Sequence, residues 1–442
     1  MRAATVKDAD ALAAFNADVL RAQDAQAPQA SMGEWTRDLV EGAHPTTRAD
    51  DAIIVENTRT GAIVSAMFLL SQTWSYGGVR IPVGQPELIG TLAEYRGRGL
   101  VRAELDVAHA KSAERGDLMQ MIAGIPWFYR QFGYELSVAR GGGGRLFPGE
   151  LAAFPPADAL RVRAAREDDV TFLASLDAEA AARHAVYVPR DAAQWRYDLT
   201  GHRDGSATRP VVAVIEDDAA RPVGMLLHPA TLWGANTLGI VMLEAVPGVS
   251  WRRVVVAALH HVRAQGEALA ARDGKTFGGA SLWMLRRDHP IYQVLRVRYD
   301  EADTWYAVYT RVPDVAAFLR AVTPALERRL AQSPLAGHNG TFRLSFYREG
   351  VRLVLEGGRV KTVEPWRPAT TTVGIEMGQG TTDPGRAHAM FPDLTFHQLL
   401  FGLRSVDELG AWYPDCVVRN AETRALLNAL FPRRPSFVWP VL

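Results

Sequence analysis

The stretch that most constrains the fold is Pro86-Glu87-Leu88-Ile89-Gly90-Thr91-Leu92-Ala93-Glu94-Tyr95-Arg96-Gly97-Arg98-Gly99-Leu100-Val101-Arg102. It reads as a buried strand, a turn rich in Gly and Arg, and a helix reaching to about Gly116. That helix places Val101, Leu105, Ala108 and Ser112 on one face, and Gly116 suits the left-handed stop. A turn that opens a helix presents unpaired backbone N–H groups at the positive end of the helix dipole. Gly97 and Gly99 remove Cβ atoms where an anion approaches the backbone, and Arg96 and Arg98 add charge. The stretch is an anion cradle. Its glycine spacing fits neither the G-x-G-x-x-G dinucleotide turn nor the P-loop.

Composition narrows the setting. The chain has 442 residues, 48% of them hydrophobic, enough for roughly two to four domains. Its 49 basic residues balance 49 acidic ones, which argues against a general nucleic-acid binder. The only lysines are Lys7, Lys111, Lys275 and Lys361, a bias of base composition rather than a function. A single Cys416 excludes an internal disulfide and fits a reducing cytoplasm, as a buried inert thiol. The N-terminus lacks an apolar signal core, and no run of about 18 apolar residues suggests a membrane span. His109, His260, His261, His388 and His397 have no partner at ligand spacing beyond Asp383 and Asp393, so no metal is expected.

A second motif follows the cradle: Ile125-Pro126-Trp127-Phe128-Tyr129-Arg130-Gln131-Phe132-Gly133-Tyr134-Glu135. Together the two resemble the GNAT acetyltransferases. In that family Arg/Gln-x-x-Gly-x-Gly/Ala binds a pyrophosphate, and a Tyr-bearing short helix ends in Phe-Gly-Tyr before the next strand. Here the turn reads Arg96-Gly97-Arg98-Gly99-Leu100-Val101, departing at Val101 where the family has a small residue.

The chain also repeats itself. Arg2-Ala3-Ala4 with Asp8 recurs as Arg163-Ala164-Ala165 with Asp169, and strands ending at Glu56 and Glu216 follow each. Ala62 to Leu70 matches Pro222 to Leu227, Glu87 to Leu92 matches Leu238 to Ala245, and the helix after Gly99 matches Trp251 to Ala270. A period of about 160 residues is one whole domain, not a solenoid repeat. The second copy has Pro247, without an N–H, and a lone Gly248 at its cradle, and Tyr292 lacks the Phe-Gly-Tyr ending. Tyr292 is read there as a core aromatic, and Gly141 to Gly144 as a flexible connection or a tight strand edge.

From about Pro313 the pattern changes to a helix over Val315 to Leu330, strands over Thr341–Tyr347, Val351–Glu356 and Thr370–Met377, and helices over Leu394–Leu403, Val406–Trp412 and Ala421–Leu430. Leu394-Thr395-Phe396-His397-Gln398-Leu399-Leu400-Phe401-Gly402 resembles the C-terminal region of the enhanced intracellular survival (Eis-like) acetyltransferases. The resemblance then implies an α/β (α+β) chain: a catalytic GNAT domain over 1–155, a degenerate one over 156–312, and a sterol-carrier-like α+β domain over 313–442. It also implies a cytoplasmic homo-oligomer such as a hexamer.

What the resemblance implies chemically is transfer of an acetyl group from acetyl-CoA to a primary amine on an aminoglycoside-like molecule, a polyamine or a peptide Lys. The thioester carbonyl would be met by a backbone N–H near Leu92, and Arg96, Gly97, Arg98, Gly99, Leu100 and Val101 would hold the cofactor. Tyr129 matches the general acid, since a phenol of pKa about 10 stays protonated at neutral pH. Two candidates compete for the base. One is the terminal carboxylate of Leu442, at the end of an apolar tail, Phe437-Val438-Trp439-Pro440-Val441-Leu442, expected to dock against the first domain. The other is Glu87, which alternation places on one face with Ile89 and Thr91. The acceptor walls are expected from variable loops such as Ala25 to Glu41. The rival reading from another class is a non-catalytic protein whose third domain binds an apolar ligand.

Overall fold

The computed structural model describes the chain apart from residues 22–26, 43, 142, 155–159, 283, 287, 296–306, 368–385 and 440–442. The strand expected over Thr370–Met377 and the Leu442 carboxylate therefore lie outside the described residues. The first unit runs β1 (Arg2–Ala3), α1 (Ala9–Val19), α2 (Ala30–Val40), β2 (Ala52–Glu56), β3 (Ile63–Tyr76), β4 (Val79–Thr91), α3 (Leu100–Glu114), β5 (Met119–Ile122), β6 (Glu135–Ala139) and β7 (Arg145–Leu146). The segment expected as a loop up to Glu41 is thus mostly the helix α2. Trp35, Leu39 and Val40 on that helix pack with Leu12 and Phe15 of α1 against Ala66, Phe68 and Leu70. On the opposite face of the sheet, Leu105 and Ala108 of α3 pack on Ile53, Met67 and Leu69. The helical face read from the sequence is the face that is buried.

The second unit continues with α4 (Pro148–Ala152), β8 (Arg161–Ala164), α5 (Val170–Ala182), β9 (Val186–Tyr187), α6 (Ala192–Arg196), β10 (Pro210–Glu216), β11 (Pro222–Pro229), β12 (Thr237–Gly239), β13 (Met242–Ala245), α7 (Trp251–Arg272), β14 (Gly279–Ser281), α8 (Ile291–Val294) and β15 (Ala307–Arg311). The sequence repeat has a physical meaning. Arg2 donates to Asp8 (2.7 and 2.9 Å) and to Glu56 (2.6 Å), and Arg163 donates to Asp169 (2.7 and 2.9 Å) and to Glu216 (2.6 Å). The same three-residue ion network ties the first strand of each unit to its second.

The units also exchange strands. β15 inserts between β5 and β6, pairing Tyr309 with Ile122 and Val308 with Val138. In return β7 pairs with β14 of the second unit. Pairing therefore crosses the boundary placed at 155. The strand expected over Leu238 to Ala245 divides into β12 and β13, which belong to different sheets.

The third unit comprises α9 (Val315–Ala321), α10 (Thr323–Ala331), β16 (Gly340–Ser345), β17 (Gly350–Glu356), β18 (Arg359–Trp366), β19 (Ala389–Met390), α11 (Asp393–Leu400), α12 (Val406–Trp412), β20 (Val417–Val418), α13 (Ala421–Leu430) and β21 (Ser436–Phe437). The single helix expected over Val315 to Leu330 is two, because Pro324 suits a first turn and not a helix interior. Phe318, Phe342, Phe346, Phe391, Phe396, Phe401 and Phe431 fill the interior of this unit. Cys416 is buried, and burial pushes its thiol up to about 12.

Into this core reaches the far end of the β3–β4 hairpin. Trp74, Tyr76, Ile81 and Val83 belong to the same buried cluster as the third unit's phenylalanines. Tyr76 donates to Leu400 O (2.7 Å) and accepts from Arg329 (3.0 Å), whose guanidinium also lies over its ring. Tyr76→Ala removes a fully buried aromatic and its two hydrogen bonds, so we expect a loss of about 3–5 kcal/mol. Urea unfolding would show it, with the first and third units losing stability together.

Candidate active site

The site begins with a defect in β4. Ala66 pairs with Gly90 and Phe68 with Glu87, so Leu88 and Ile89 together oppose Met67 alone. Leu88 adopts φ 50°, and the strand bulges there. The bulge overturns the alternation expected for Glu87, Ile89 and Thr91. Leu88 packs with the α1–α2 cluster and Ile89 with the α3 cluster. Glu87, in register with Phe68, falls on the α1–α2 face.

Beyond the bulge the sheet opens. β4 and β5 pair in parallel only at Val83–Met119 and Gly84–Gln120, after which β5 pairs with β15 on its other side. A wedge is left between residues 85–91 of β4 and the end of β5. Leu92 N–H donates to Val64 O (3.0 Å), so it is not the free donor expected there. Alternation instead turns the N–H of Thr91 toward the wedge, in line with Thr91 O accepting from Arg96 Nε (3.2 Å).

At the mouth of the wedge, Gly97 and Gly99 have φ 74° and 75°. A Cβ at either position would meet nothing within 4 Å, so the glycines serve the left-handed backbone and leave the space in front of it clear. Gly99 is the N-cap of α3 and has no side chain to cap it, so the first-turn amides, Leu100 and Val101 among them, stay open to an anion. Arg98 is held by Glu94 O (2.9 Å) and lies over Tyr95.

Tyr129 sits on the α3 side, on a short 3-10 helix Phe128–Phe132. It is 6% exposed and packs with Met67, Leu69, Ile122 and Tyr309. A Cβ on Gly124 would lie 2.0 Å from its ring, so Gly124 is what lets the phenol lie against the end of β5. Trp127, just before it, has φ 70° and is 72% exposed.

Glu87 ends a relay that the sequence did not reveal. Trp74 Nε1 donates to Gln72 (2.8 Å), Gln72 to Gln85 (2.5 Å), and Gln85 to Glu87 (2.7 Å). Burial pushes the Glu87 carboxyl above its ordinary range, against the hydrogen bond from Gln85 and the charge of Arg140. Glu104 on α3 was also missed, because a charged residue on the buried helix face carries no signal in the pattern. It is fully buried and accepts from Ser65 Oγ (2.7 Å), which also contacts Thr91 Oγ1 (2.8 Å). Burial raises its carboxyl to about 7.

The second unit places its parts differently. Tyr292 OH contacts Leu282 O and Leu285 O (3.2 and 3.1 Å) and accepts from Gly144 N (3.1 Å). A Cβ on Gly143 would stand 1.9 Å from that hydroxyl, so this part of the four-glycine run is a close packing contact. His289 Nε2 donates to Leu243 O (2.9 Å), occupying the edge of β13. Among the described residues no three His, Cys, Asp or Glu converge as metal ligands, and no helix is long and apolar enough to cross a membrane.

The described part of the tail lies between the first two units, with Val438 in the cluster that holds Trp74, Tyr76 and Val83. β21 pairs with β9 of the second unit, and β9 in turn pairs with Ser75 and Tyr76 of β3. Phe437 and Trp439 pack into the second unit's core, and Trp439 also lies under the Arg140 guanidinium (5.9 Å).

Glu104 gives a pH dependence with a definite sign. Its folded pKa lies above the unfolded value of about 4.3, so the folded state holds the proton more tightly and stability falls as pH rises through about 4.3 to 7. Glu104→Gln removes that fall, by about 2–4 kcal/mol. Urea titrations of both proteins at pH 5 and pH 8 would measure it, and parallel pH profiles would remove Glu104 from this account.

Residues 1–137 match the family model described as an acetyltransferase (GNAT) domain. No curated protein sequence matches the chain. Among solved structures, a GCN5-related N-acetyltransferase from Kribbella flavida aligns with TM-score 0.62 and 16% identity, covering 98% of this chain and 96% of that one. Its counterpart from Anabaena variabilis aligns at 0.61 and 13%, covering 98% of each. Eis1 from Mycobacterium abscessus aligns at 0.54 and 15%, covering 96% and 95%. At such identities the likeness is one of fold, and it spans all three units. Residues 1–137 thus match a GNAT acetyltransferase domain, within a chain whose overall fold is like that of these solved structures along nearly its whole length.

Proposed function

We propose that the first unit, residues 1–155, is an acetyl-CoA-dependent N-acetyltransferase acting on a primary amine by direct attack. The observation that carries the reading is the open wedge, with the uncapped α3 turn and Tyr129 on one face of the sheet and Glu87 on the other. Acetyl-CoA is the second substrate, and its thioester carries the group to be transferred. The amides after Gly99, with Arg96 and Arg98, hold its pyrophosphate, and the N–H of Thr91 polarises the thioester carbonyl.

The amine enters from the α1–α2 face. Glu87 takes a proton from it, for which a raised pKa suits a base working near neutrality. The amine nitrogen then bonds to the carbonyl carbon, the carbon–sulfur bond breaks, and Tyr129 supplies the proton that the departing thiolate takes up. The second unit, 156–312, is read as a scaffold that has lost this chemistry, since Tyr292 and His289 are engaged in packing. By resemblance the third unit, 313–442, is sterol-carrier-like, and the chain works as a homo-oligomer in the cytoplasm.

One observation favours a second base. β21 runs antiparallel to β3 and so in the direction of β4, and Trp439 lies by Arg140, whose charge is felt at Glu87. By resemblance, the second candidate for the base is the Leu442 carboxylate.

Tyr129→Phe is expected to lower kcat by about 10²–10⁴-fold while leaving acetyl-CoA affinity unchanged. An unchanged kcat across a panel of amines would return Tyr129 to packing. Glu87→Gln should cost a comparable factor. If it costs nothing while residues added after Leu442 abolish turnover, the base is the Leu442 carboxylate. Calorimetry should find acetyl-CoA binding abolished in Gly99→Trp and intact in Gly248→Trp, and the reverse result would exchange the roles of the two units.

A further inference from the structure

A buried polar cluster outside the wedge lies where the second unit meets α2. After α6 the chain makes one π-helical turn, Tyr197–Gly201, and then runs along α2. Arg203 N donates to Asp38 Oδ1 (3.0 Å), Arg203 pairs with Glu41, and Ala207 N donates to Ser31 O (3.0 Å). The segment 202–207 thus straps α2 from its last turn to its first. Gly201 is required for the turn, since a Cβ there would lie 2.2 Å from the Tyr197 ring.

Under the strap, His202 stands between carboxylates of two units. Its Nδ1 is 3.7 Å from Asp38 Oδ2 and its Nε2 is 3.7 Å from Asp198 Oδ1, with the His202 and Asp38 side chains 2% and 1% exposed. Asp198 also accepts from Arg190 (2.8 Å) and Gln194 (3.1 Å). Tyr197 stacks on His202 (4.3 Å between centroids), and His44 meets Tyr197 edge-on (4.9 Å). His44 Nδ1 accepts from the N–H groups of Thr46 and Thr47, so its other nitrogen carries the proton, and burial lowers its pKa to about 4. With His44 neutral, the cations facing the two buried carboxylates are Arg190 and His202, together with the half-exposed Arg203, whose Nε lies 3.8 Å from Asp38 Oδ1 while its outer nitrogen pairs with Glu41. Burial disfavours charge on His202, but Asp198 and Asp38 outweigh it and raise its pKa above the ordinary 6.5. Both ring nitrogens and Asp38 Oδ2 lack a hydrogen-bond partner among the described residues, a costly arrangement unless charge holds it together.

α2 is in turn part of the acceptor face. Gln29 N, at its start, donates to Ala17 O (2.7 Å), and Gly33 lies against Ala13 O. The end of α1 presses on β4 at the wedge, where a Cβ on Gly90 would meet Val19 at 2.7 Å. We propose that His202 of the second unit is a positioning residue for the first unit's acceptor side: as a cation between Asp38 and Asp198 it locks the strap onto α2, and so sets the α1–α2 corner against the wedge. The proposal rests on the reading of the first unit as the catalytic one. It gives the second unit a task in the reaction without chemistry of its own.

A group whose pKa is raised in the folded state contributes fully below its unfolded pKa of about 6.5, and the contribution is lost as pH rises through the folded value. Neutral His202 leaves Asp198 with Arg190, and Asp38 with only the half-exposed Arg203. His202→Gln mimics that state at every pH.

The test is steady-state kinetics of the full chain and of His202→Gln from pH 6.5 to 9, together with an NMR titration of the His202 ring in the unaltered protein. We expect the variant to raise KM for the amine about three- to tenfold at pH 6.5, with the difference closing by pH 9, while KM for acetyl-CoA stays the same. The ring should titrate above 6.5. A pH-independent difference, equal shifts in both KM values, or a ring titrating at or below 6.5 would each overturn the proposal. If no amine is acetylated, the catalytic reading fails and the lock is still read from stability. Unaltered protein and variant should then differ in Tm at pH 6.5 and converge by pH 9, and a constant difference would remove the lock as well. A variant that does not fold leaves the ring titration to decide.

Discussion

The structure depends on one long hairpin, β3–β4, and on where its pairing is kept and where it fails. Between Leu69 and Tyr76 the ladder is continuous, which makes it stiff enough to carry Trp74 and Tyr76 into the core of the third unit. At Leu88 a single extra residue breaks the register, and past Gly84 the parallel partner is gone. Backbone groups that would be satisfied in a sheet are there left facing a wedge. Burying such groups without partners is costly, and a ligand running along the strand edge can supply the missing hydrogen bonds. The same hairpin thus makes the candidate site at one end and fastens it to the rest of the chain at the other.

The bulge also sorts chemistry by face. Because Glu87 and Leu88 both fall on the α1–α2 side while Ile89 falls on the α3 side, the carboxylate and the Tyr129 phenol do not share a surface. They meet only through the opening in the sheet. An acid and a base on separate faces can hold different protonation states at one pH, since each is tuned by its own surroundings. Here one is a carboxyl raised by burial at the end of the Gln72–Gln85 relay, and the other is a phenol packed on Gly124.

The exchange of β15 and β7 makes the second unit a part of the first unit's sheet. Without β15 the first sheet would lose the strand between β5 and β6, and the far wall of the wedge with it. In the second unit His289 and Tyr292 are tied to the backbone of Leu243 and Leu282. Its strap along α2 adds a contact that no local repeat would require.

Much of this was legible in the sequence where the determinants are local. The Gly97/Gly99 turn, the buried face of α3, the Tyr129 helix and the pairing of Arg2-Asp8 with Arg163-Asp169 all rest on residues close in the chain or on a repeated pattern, and periodicity and φ preference report them. What only the tertiary structure decided depends on partners far apart. The bulge at Leu88 follows from register against Met67, which alternation alone cannot foresee, so the face of Glu87 was misread. β15 lies in the second unit's stretch of sequence and pairs in the first, and the described tail pairs with β9 while Val438 joins the cluster that holds Trp74, Tyr76 and Val83. His202 carries no signal in the sequence, because the two carboxylates that give it meaning come from α2 and from a π-helical turn, brought together only when the units pack. The sequence by itself determined the cradle and the motif helix through backbone geometry. The tertiary structure decided which faces they serve and what holds them, because register and burial are set by contacts between distant segments.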